Sequence, residues 1–155
     1  MKIVLQRVSK AKVTVDNITV GIIDNGYVLL LGFGECDNNI NESESFKKIE
    51  KMVDKIQKLR IFHDENSKIN LSINEISEIG GSILVVSQFT LYADSKKGNR
   101  PSFVNAADPK TAERLYDYFI EYAKDKFAKV EHGVFGAVMQ VELVNDGPFT
   151  LILEE

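Results

Sequence analysis

Apolar and polar residues alternate along the first third of the chain, and this period of two predicts β-strands. Residues 12–15 and 19–22 each carry valine or isoleucine at every second position. The segment Asp24-Asn25-Gly26 predicts a tight hairpin turn, because Asn-Gly readily adopts the positive φ angles that such turns need. The run Tyr27 to Phe33 is almost wholly apolar, which predicts a strand covered on both faces.

Two longer segments have the period of an amphipathic helix. Between Asn41 and Leu59 the apolar residues recur at steps of three or four, which places them on one face of a helix. These residues are Phe46, Ile49, Val53, Ile56 and Leu59. Asp108-Pro109 predicts the start of a second helix, since an N-cap residue precedes proline at the first helical position. Leu115, Phe119 and Tyr122 then predict its buried face.

Strand patterns return in the second half of the chain. A turn-rich connector over 71–81 precedes a predicted strand from Ser82 to Tyr92, and alternation over 139–143 predicts another. Asn145 to Pro148 breaks that strand, and 149–153 predicts the last one. Strands cluster at both ends of the sequence without regular strand–helix alternation. This pattern predicts an α+β fold with a mainly antiparallel, barrel-like sheet and two main helices packed on one side.

Composition is that of an ordinary globular domain. The 155 residues, 44% hydrophobic and 27% charged, predict one domain over residues 1–155. No apolar run approaches the ~20 residues of a membrane span, and the first residues lack a signal-peptide core. The lone Cys36 cannot form an internal disulfide. We therefore expect a cytoplasmic protein without membrane contact.

The net charge of −4 argues against a protein that coats a nucleic-acid backbone, and we expect no DNA partner. A local basic cluster is nevertheless present in the loop that carries Lys96, Lys97 and Arg100. Local charge of this kind can guide an anion. The alternative is a solvated loop without function.

The usual signatures of catalysis and cofactor binding are weak. A Ser-His-Asp arrangement needs a histidine, and only His63 and His132 are present. Either histidine could serve Ser87 as a base or could have a surface or capping role. No pair of histidines or cysteines has the spacing of metal ligands. Gly32-Phe33-Gly34 alone does not indicate a dinucleotide site, so we expect neither a metal nor a cofactor.

Two motifs remain, "SQFTL" (Ser87 to Leu91) and "NDGPFT" (Asn145 to Thr150). Each alone is common, since polar residues often end strands and Gly-Pro often makes a turn. Together with "MKIVLQRV" (1–8), "GYVLLLGF" (26–33) and "KKGNRPSF" (96–103), they are far more specific. The chain resembles the D-aminoacyl-tRNA deacylase family essentially end to end.

The resemblance implies an enzyme of translation proofreading that hydrolyses the ester between a D-amino acid and the terminal ribose of tRNA. It also implies a homodimer in which Gly147-Pro148, as a cis peptide, enters the partner's site at residues 87–90. L- and D-amino acids carry the same groups, so the discriminator must be rigid and must clash with one enantiomer. Glycine has no side chain, so we expect activity on glycyl-tRNA, including glycine mischarged on tRNA-Ala.

The candidate residues divide into two groups. Those assigned to catalysis are Ser87, Gln88, Phe89 and Thr90, and those assigned to binding the aminoacyl-tRNA 3′ end are Gly147, Pro148, Arg7, Lys96 and Phe135. Backbone N–H groups of Gln88 and Phe89 would stabilise the oxyanion. Thr90 could attack the ester, but no base is evident to activate it. We therefore favour attack by water, assisted by the ribose 2′-hydroxyl.

Several alternatives stay open. Arg7, inside an apolar strand, either lies at a sheet edge in solvent or braces the Gly147-Pro148 loop through its carbonyls. Phe89 and Phe135 could contact the terminal adenine, or Phe89 could be a core residue. The rival functions are a deacylase with relaxed chirality and a noncatalytic homodimer that binds RNA ends.

Overall fold

The computed structural model describes residues 1–38, 41–96 and 98–155. In chain order the strands and helices are β1 Lys2–Val15, β2 Ile18–Ile23, β3 Gly26–Gly32, α1 Glu42–Lys58, β4 Phe62–His63, β5 Ile69–Leu71, β6 Ser82–Ser87, α2 Pro109–Lys124, β7 Lys129–His132 and β8 Gln140–Glu154. Short 3-10 turns cover Glu35–Asn38, Ile73–Glu75 and Phe89–Tyr92. Neither helix, within the described ranges, has the length and apolar character that a membrane crossing requires.

The main sheet is mixed, so the prediction of a mainly antiparallel sheet is wrong. β1 pairs antiparallel with β2, β3 and β8, whereas β6 is parallel to both β3 and β7. The reason lies in the connections: the chain passes through α1 between β3 and β6, and through α2 between β6 and β7. Crossovers of this length return the chain in the same direction, whereas short hairpins reverse it. The Lys129 ammonium of β7 donates to the Ile22 carbonyl of β2 at 2.8 Å, so the sheet is nearly closed and barrel-like.

The first hairpin turns at Asp16-Asn17, with φ angles of 50° and 64°, and not at Asp24-Asn25-Gly26. β2 and β3 pair with successive halves of β1, so the chain only bends between them. Gly26 has another reason to be glycine. A Cβ atom there would overlap the carbonyl oxygen of Ser82 in the neighbouring β6. The tight turn was predicted at the wrong place because the reason for glycine at position 26 is a close approach from a strand 56 residues away in sequence.

β3 is buried on both faces, as predicted. Tyr27, Leu29 and Leu31 pack into a core shared with both helices, while Val28 packs into a second cluster on the opposite face. Both helices contribute to the first cluster, so both cover the same face of the sheet.

The predicted helix starts are confirmed. The Asn41 side chain accepts the Ser43 N–H at 3.1 Å, and the Asp108 side chain accepts the Thr111 N–H at 3.0 Å. The helices run side by side in the same direction, since Arg114 lies 3.3 Å from Glu42 near their starts. The backbone N–H of Asp108 donates to the Asn38 side chain at 3.0 Å, which fixes both helix starts at the end where β3 finishes.

Candidate functional site

A pocket of about 360 Å³ opens where β3 and β6 end, beside the first turns of α2. Its volume falls in the range of small-molecule sites. The lining is mostly apolar and comprises Leu31, Gly32, Phe33, Ser87, Gln88, Phe89, Phe103, Ala106, Ala107, Pro109, Ala112, Tyr116, Phe135 and Gly136. The pocket therefore brings together Ser87, Gln88, Phe89 and Phe135 among the candidate residues.

β6 ends at Ser87 and not at Tyr92, so the predicted strand is too long. The backbone N–H of Gln88 donates to the Leu31 carbonyl at 2.8 Å and extends the β3–β6 pairing by one step. The chain then turns into the 3-10 segment Phe89–Tyr92. The Gln88 N–H is thus occupied, and the expectation that it serves an oxyanion is wrong. The first N–H groups of a helical turn have no partner within it, and no described residue accepts the Phe89 N–H.

Aromatic rings form two walls of the pocket. Phe89 is 57% exposed and meets Phe103 edge-on, with ring centroids 5.0 Å apart. Phe135 packs against Tyr116 at 5.7 Å, and the Tyr116 hydroxyl donates to the Val85 carbonyl at 2.9 Å. Burial raises the pKa of Tyr116, so this hydroxyl is a neutral donor. The alternative of Phe89 as a core residue is wrong, because a core side chain would be covered.

Other candidates lie outside the pocket. Thr90 is exposed, and its hydroxyl accepts a hydrogen bond from the Gln88 side-chain amide. Lys96 is exposed, and its backbone N–H donates to the Asp94 carboxylate at 2.9 Å. Lys97 lies outside the described residues. Neither His63 nor His132 lines the pocket, and within the described residues no group of three or more His, Cys, Asp or Glu is placed to hold a metal ion.

Arg7 is fully buried, so the solvent-exposed alternative is wrong and the bracing contact is confirmed. β8 pairs with β1 on both sides of this position, but four residues, 146–149, stand opposite Arg7 alone. The guanidinium donates to the Asp146 carbonyl at 3.0 Å, to the Gly147 carbonyl at 2.9 Å and to the Ile61 carbonyl. The predicted break at 145–148 is therefore a wide bulge within one strand, and Arg7 holds it.

A carboxylate pairs with the charge of this guanidinium, and aromatic rings lie near the guanidinium group. The Asp146 carboxylate lies 2.9 Å from Nε, and the rings of Phe149 and Phe62 lie 4.6 Å and 5.7 Å from the guanidinium carbon. A buried cation is stable only with such partners. Tyr27, which pairs with Arg7 across β1 and β3, has a buried hydroxyl without a partner among the described residues. Burial raises the pKa of Tyr27, and the Arg7 charge opposes that shift.

The Gly147-Pro148 peptide is cis, and both residues are exposed on the bulge. Ser87 pairs with Leu31, and Leu31 pairs with Ile3, four residues from Arg7. At about 3.3 Å per residue and 4.8 Å per strand, the bulge lies roughly 20 Å from the pocket. One chain therefore does not bring its two motifs together.

The family model described as D-Tyr-tRNA(Tyr) deacylase matches residues 4–154. This chain belongs to the D-Tyr-tRNA(Tyr) deacylase family. The resemblance read from the motifs is confirmed, and with it the expected enzyme class, a hydrolase acting on ester bonds.

Relatives in this deacylase family match over nearly their whole length. The D-aminoacyl-tRNA deacylase of Clostridioides difficile (strain 630) is 51% identical over 154 residues, which cover 99% of this chain and 97% of the relative. The enzyme of the same name from Thermosipho africanus (strain TCF52B) is 50% identical, with the same coverage of each chain.

Two solved structures share the deacylase fold seen here. One, described as c-Myc DNA Unwinding Element Binding Protein, has a TM-score of 0.85 and 39% identity, and the match covers 100% of this chain and 99% of that one. The other, a probable eukaryotic D-amino acid tRNA deacylase, has a TM-score of 0.81 and 18% identity, with coverage of 98% and 97%. At that identity the second likeness concerns the fold alone.

Sequence reasoning missed several residues that line the pocket or surround the Arg7 guanidinium. They are Ile61, Phe62, Phe103, Tyr116, Asp146 and Phe149. Phe103, Asp146 and Phe149 lie inside the family motifs, so closer attention to the aromatic and charged residues of these motifs could have found them. Ile61, Phe62 and Tyr116 carry no local signal, because only the tertiary fold brings them to the site.

Proposed function

We propose that this chain hydrolyses the ester of D-aminoacyl-tRNA, releases free tRNA and the D-amino acid, and spares L-aminoacyl-tRNA. The observation that carries the proposal is an apolar pocket lined by Phe89, whose backbone N–H has no acceptor among the described residues, in a chain of the deacylase family. The pocket would take the 3′ end of the RNA. Its aromatic walls suit the terminal adenine, because bases stack on aromatic side chains whatever their sequence.

The chemistry needs no protein nucleophile. Water attacks the ester carbonyl carbon, negative charge builds on the carbonyl oxygen, and the Phe89 N–H stabilises that charge. The C–O bond to the ribose then breaks, and the departing ribose oxygen takes the proton that the attacking water gives up. The neighbouring ribose hydroxyl assists this transfer by proximity. The Thr90 hydroxyl is bonded to Gln88 and to no basic side chain among the described residues, which supports a positioning role for that pair.

Chiral selection would come from a second subunit. Gly147-Pro148 lies too far from the pocket of its own chain, so a homodimer would place the bulge in the partner's pocket. Arg7 takes one lone pair of the Gly147 carbonyl, and a carbonyl oxygen has a second one to accept the substrate's α-ammonium. With that ammonium fixed, an L side chain would clash with the bulge. Glycine would escape rejection, so glycyl-tRNA, including glycine on tRNA-Ala, would also be hydrolysed.

The test is the release of amino acid from D-tyrosyl-tRNA, L-tyrosyl-tRNA and glycyl-tRNA, with Pro148→Ala as the variant. We expect release from the D and glycyl esters alone, and slower or less selective release with the variant. Equal release from the D and L esters would instead support the relaxed deacylase. No release from any ester would support the noncatalytic RNA-end-binding protein.

A further inference from the structure

One surface of α1 is strongly basic. Five lysines lie on it: Lys47, Lys48, Lys51, Lys55 and Lys58. Successive residues of an α-helix differ by about 100°, so all five fall within an arc of roughly 100°. We call this surface the lysine face. It points away from the buried side of the helix, which carries Ile49, Met52, Val53 and Ile56.

Glu50 and Asp54 line a shallow groove together with Lys47, Lys51, Lys55 and Lys58, but both carboxylates have partners outside the lysine face. Glu50 and Asp54 turn toward α2, where the Tyr118 hydroxyl donates to Glu50 at 2.5 Å and Lys126 lies 3.3 Å from Asp54. Two carboxylates share this surface: Glu44, which falls within the same arc one turn before the lysines and lies 3.8 Å from Lys48, and Glu155, which lies 2.5 Å from Lys51. Lys47, Lys55 and Lys58 form no ion pair with any described residue.

The lysines without ion pairs to described residues leave an excess of positive charge on the lysine face. The hydrogen bond from Lys51 and the charges of Lys51, Lys55 and Lys48 lower the pKa of Glu155. The chain as a whole is acidic, with 23 acidic and 19 basic residues. Five of those basic residues are gathered on this one face, so it is a local positive region on a negative molecule. Such a region attracts and orients a polyanion.

The lysine face begins near the pocket. Asn38 binds the backbone of Asp108, the residue before Pro109, which lines the pocket. Lys47 follows the start of α1 by about 8 Å and Lys58 by about 24 Å, at 1.5 Å per residue. A duplex whose single-stranded end occupies the pocket therefore has a basic track beside it.

We infer that the lysine face binds the phosphate backbone of the RNA whose 3′ end enters the pocket. This inference rests on the proposed function. Lysine ammonium groups bind phosphates as point charges, and residues four apart on a helix repeat about every 6 Å. The face supplies affinity and takes no part in the chemistry. The lysine face contacts only a small part of the RNA, and a small contact of this kind is compatible with a protein whose net charge is negative.

The experiment compares two substrates and two triple variants. D-tyrosyl-tRNA carries the duplex, whereas D-tyrosyl-adenosine carries the same ester without it. The test variant is Lys47→Gln, Lys55→Gln and Lys58→Gln. The control variant makes the same change at the exposed lysines Lys10, Lys68 and Lys124, which lie outside the lysine face, with an equal change in net charge.

We expect the test variant to lose about tenfold or more in kcat/KM on the tRNA at low salt, through KM. The slope of log(kcat/KM) against log[salt] should flatten by about 2–3, close to one for each phosphate that is no longer neutralised by a lysine. Activity on D-tyrosyl-adenosine should be unchanged, and the control variant should match wild type on both substrates.

Equal losses in the test and control variants, or no loss in either, would overturn the inference. If wild type hydrolyses neither ester, the proposed function fails, and the inference is then decided by titration of uncharged tRNA. Unchanged tRNA affinity of the test variant in that titration would also overturn it.

Discussion

Arg7 directs its hydrogen bonds at three backbone carbonyls from distant parts of the chain. Its position inside an apolar strand predicted a need for partners. The identity of those partners could not be predicted, because they lie 54, 139 and 140 residues away in sequence. The bulge gives β8 three more residues than β1 at this point, and without Arg7 the Asp146, Gly147 and Ile61 carbonyls would lose this donor, which is costly where they are buried. One planar guanidinium satisfies them and fixes the bulge at the same time.

Arg7→Lys keeps the positive charge and loses the planar guanidinium with its several N–H donors. An ammonium cannot reach all three carbonyls in the same geometry, so buried acceptors lose their donors. We expect the free energy of unfolding to fall by about 2–4 kcal/mol, and discrimination between D- and L-tyrosyl-tRNA to weaken. Urea denaturation and single-turnover deacylation measure the two effects.

Arg60→Lys is the matched control, because Arg60 is exposed and, among the described residues, its side chain donates hydrogen bonds to Asn70 alone. We expect less than about 1 kcal/mol from that change. If the Arg7→Lys variant had the stability and the selectivity of wild type, the guanidinium would not be what holds the bulge.

At the scale of elements, local signals predicted α1 and α2 well. Their caps, Asn41 and Asp108, act within a few residues of themselves, so the sequence carries the whole signal. Strand order is different, because it depends on which distant strand lies alongside. The parallel pairing of β6 with β3 and β7 follows from the helical crossovers, and no alternation pattern records it. The end of β6 at Ser87 was missed for a related reason. The apolar and aromatic residues after it are equally compatible with a continuing strand and with a 3-10 turn.

Substitution of Gly26 tests the close approach of β3 and β6. Gly26→Ala introduces a Cβ that overlaps the Ser82 backbone, so one of the two strands must shift. We expect a loss of more than about 3 kcal/mol, which is exceptional for a single methyl group. Thermal and urea unfolding measure it, and soluble yield replaces them where the variant does not fold.

Gly98→Ala gives the comparison. Gly98 has φ of +71° and nothing within 4 Å of an added Cβ, so only the backbone conformation resists the change. The expected cost is about 1–2 kcal/mol. If the variant at Gly26 were as stable as the one at Gly98, the close approach of the two strands would not exist in solution.

At the scale of the whole molecule, the two motifs of the deacylase family lie on different parts of the surface. The resemblance implied that the two motifs meet in one site and that a partner subunit completes it. The strand register explains why a single chain cannot do so, because three strand spacings and four residues of β1 separate the bulge from Ser87. No local pattern encodes that separation. A site shared between subunits has a consequence that a site within one chain does not have.

Subunits with different defects should complement each other. Phe89→Ala damages the pocket and leaves the bulge, whereas Pro148→Ala damages the bulge and leaves the pocket. After unfolding and refolding of an equal mixture, half of the dimers should be mixed, and each mixed dimer holds one intact site. About a quarter of all sites should then regain wild-type selectivity for D-tyrosyl-tRNA. Each variant refolded alone is the control and should regain none. A mixture no more active than the mean of the two controls would place both motifs within one chain's site or outside catalysis, and would refute the shared site.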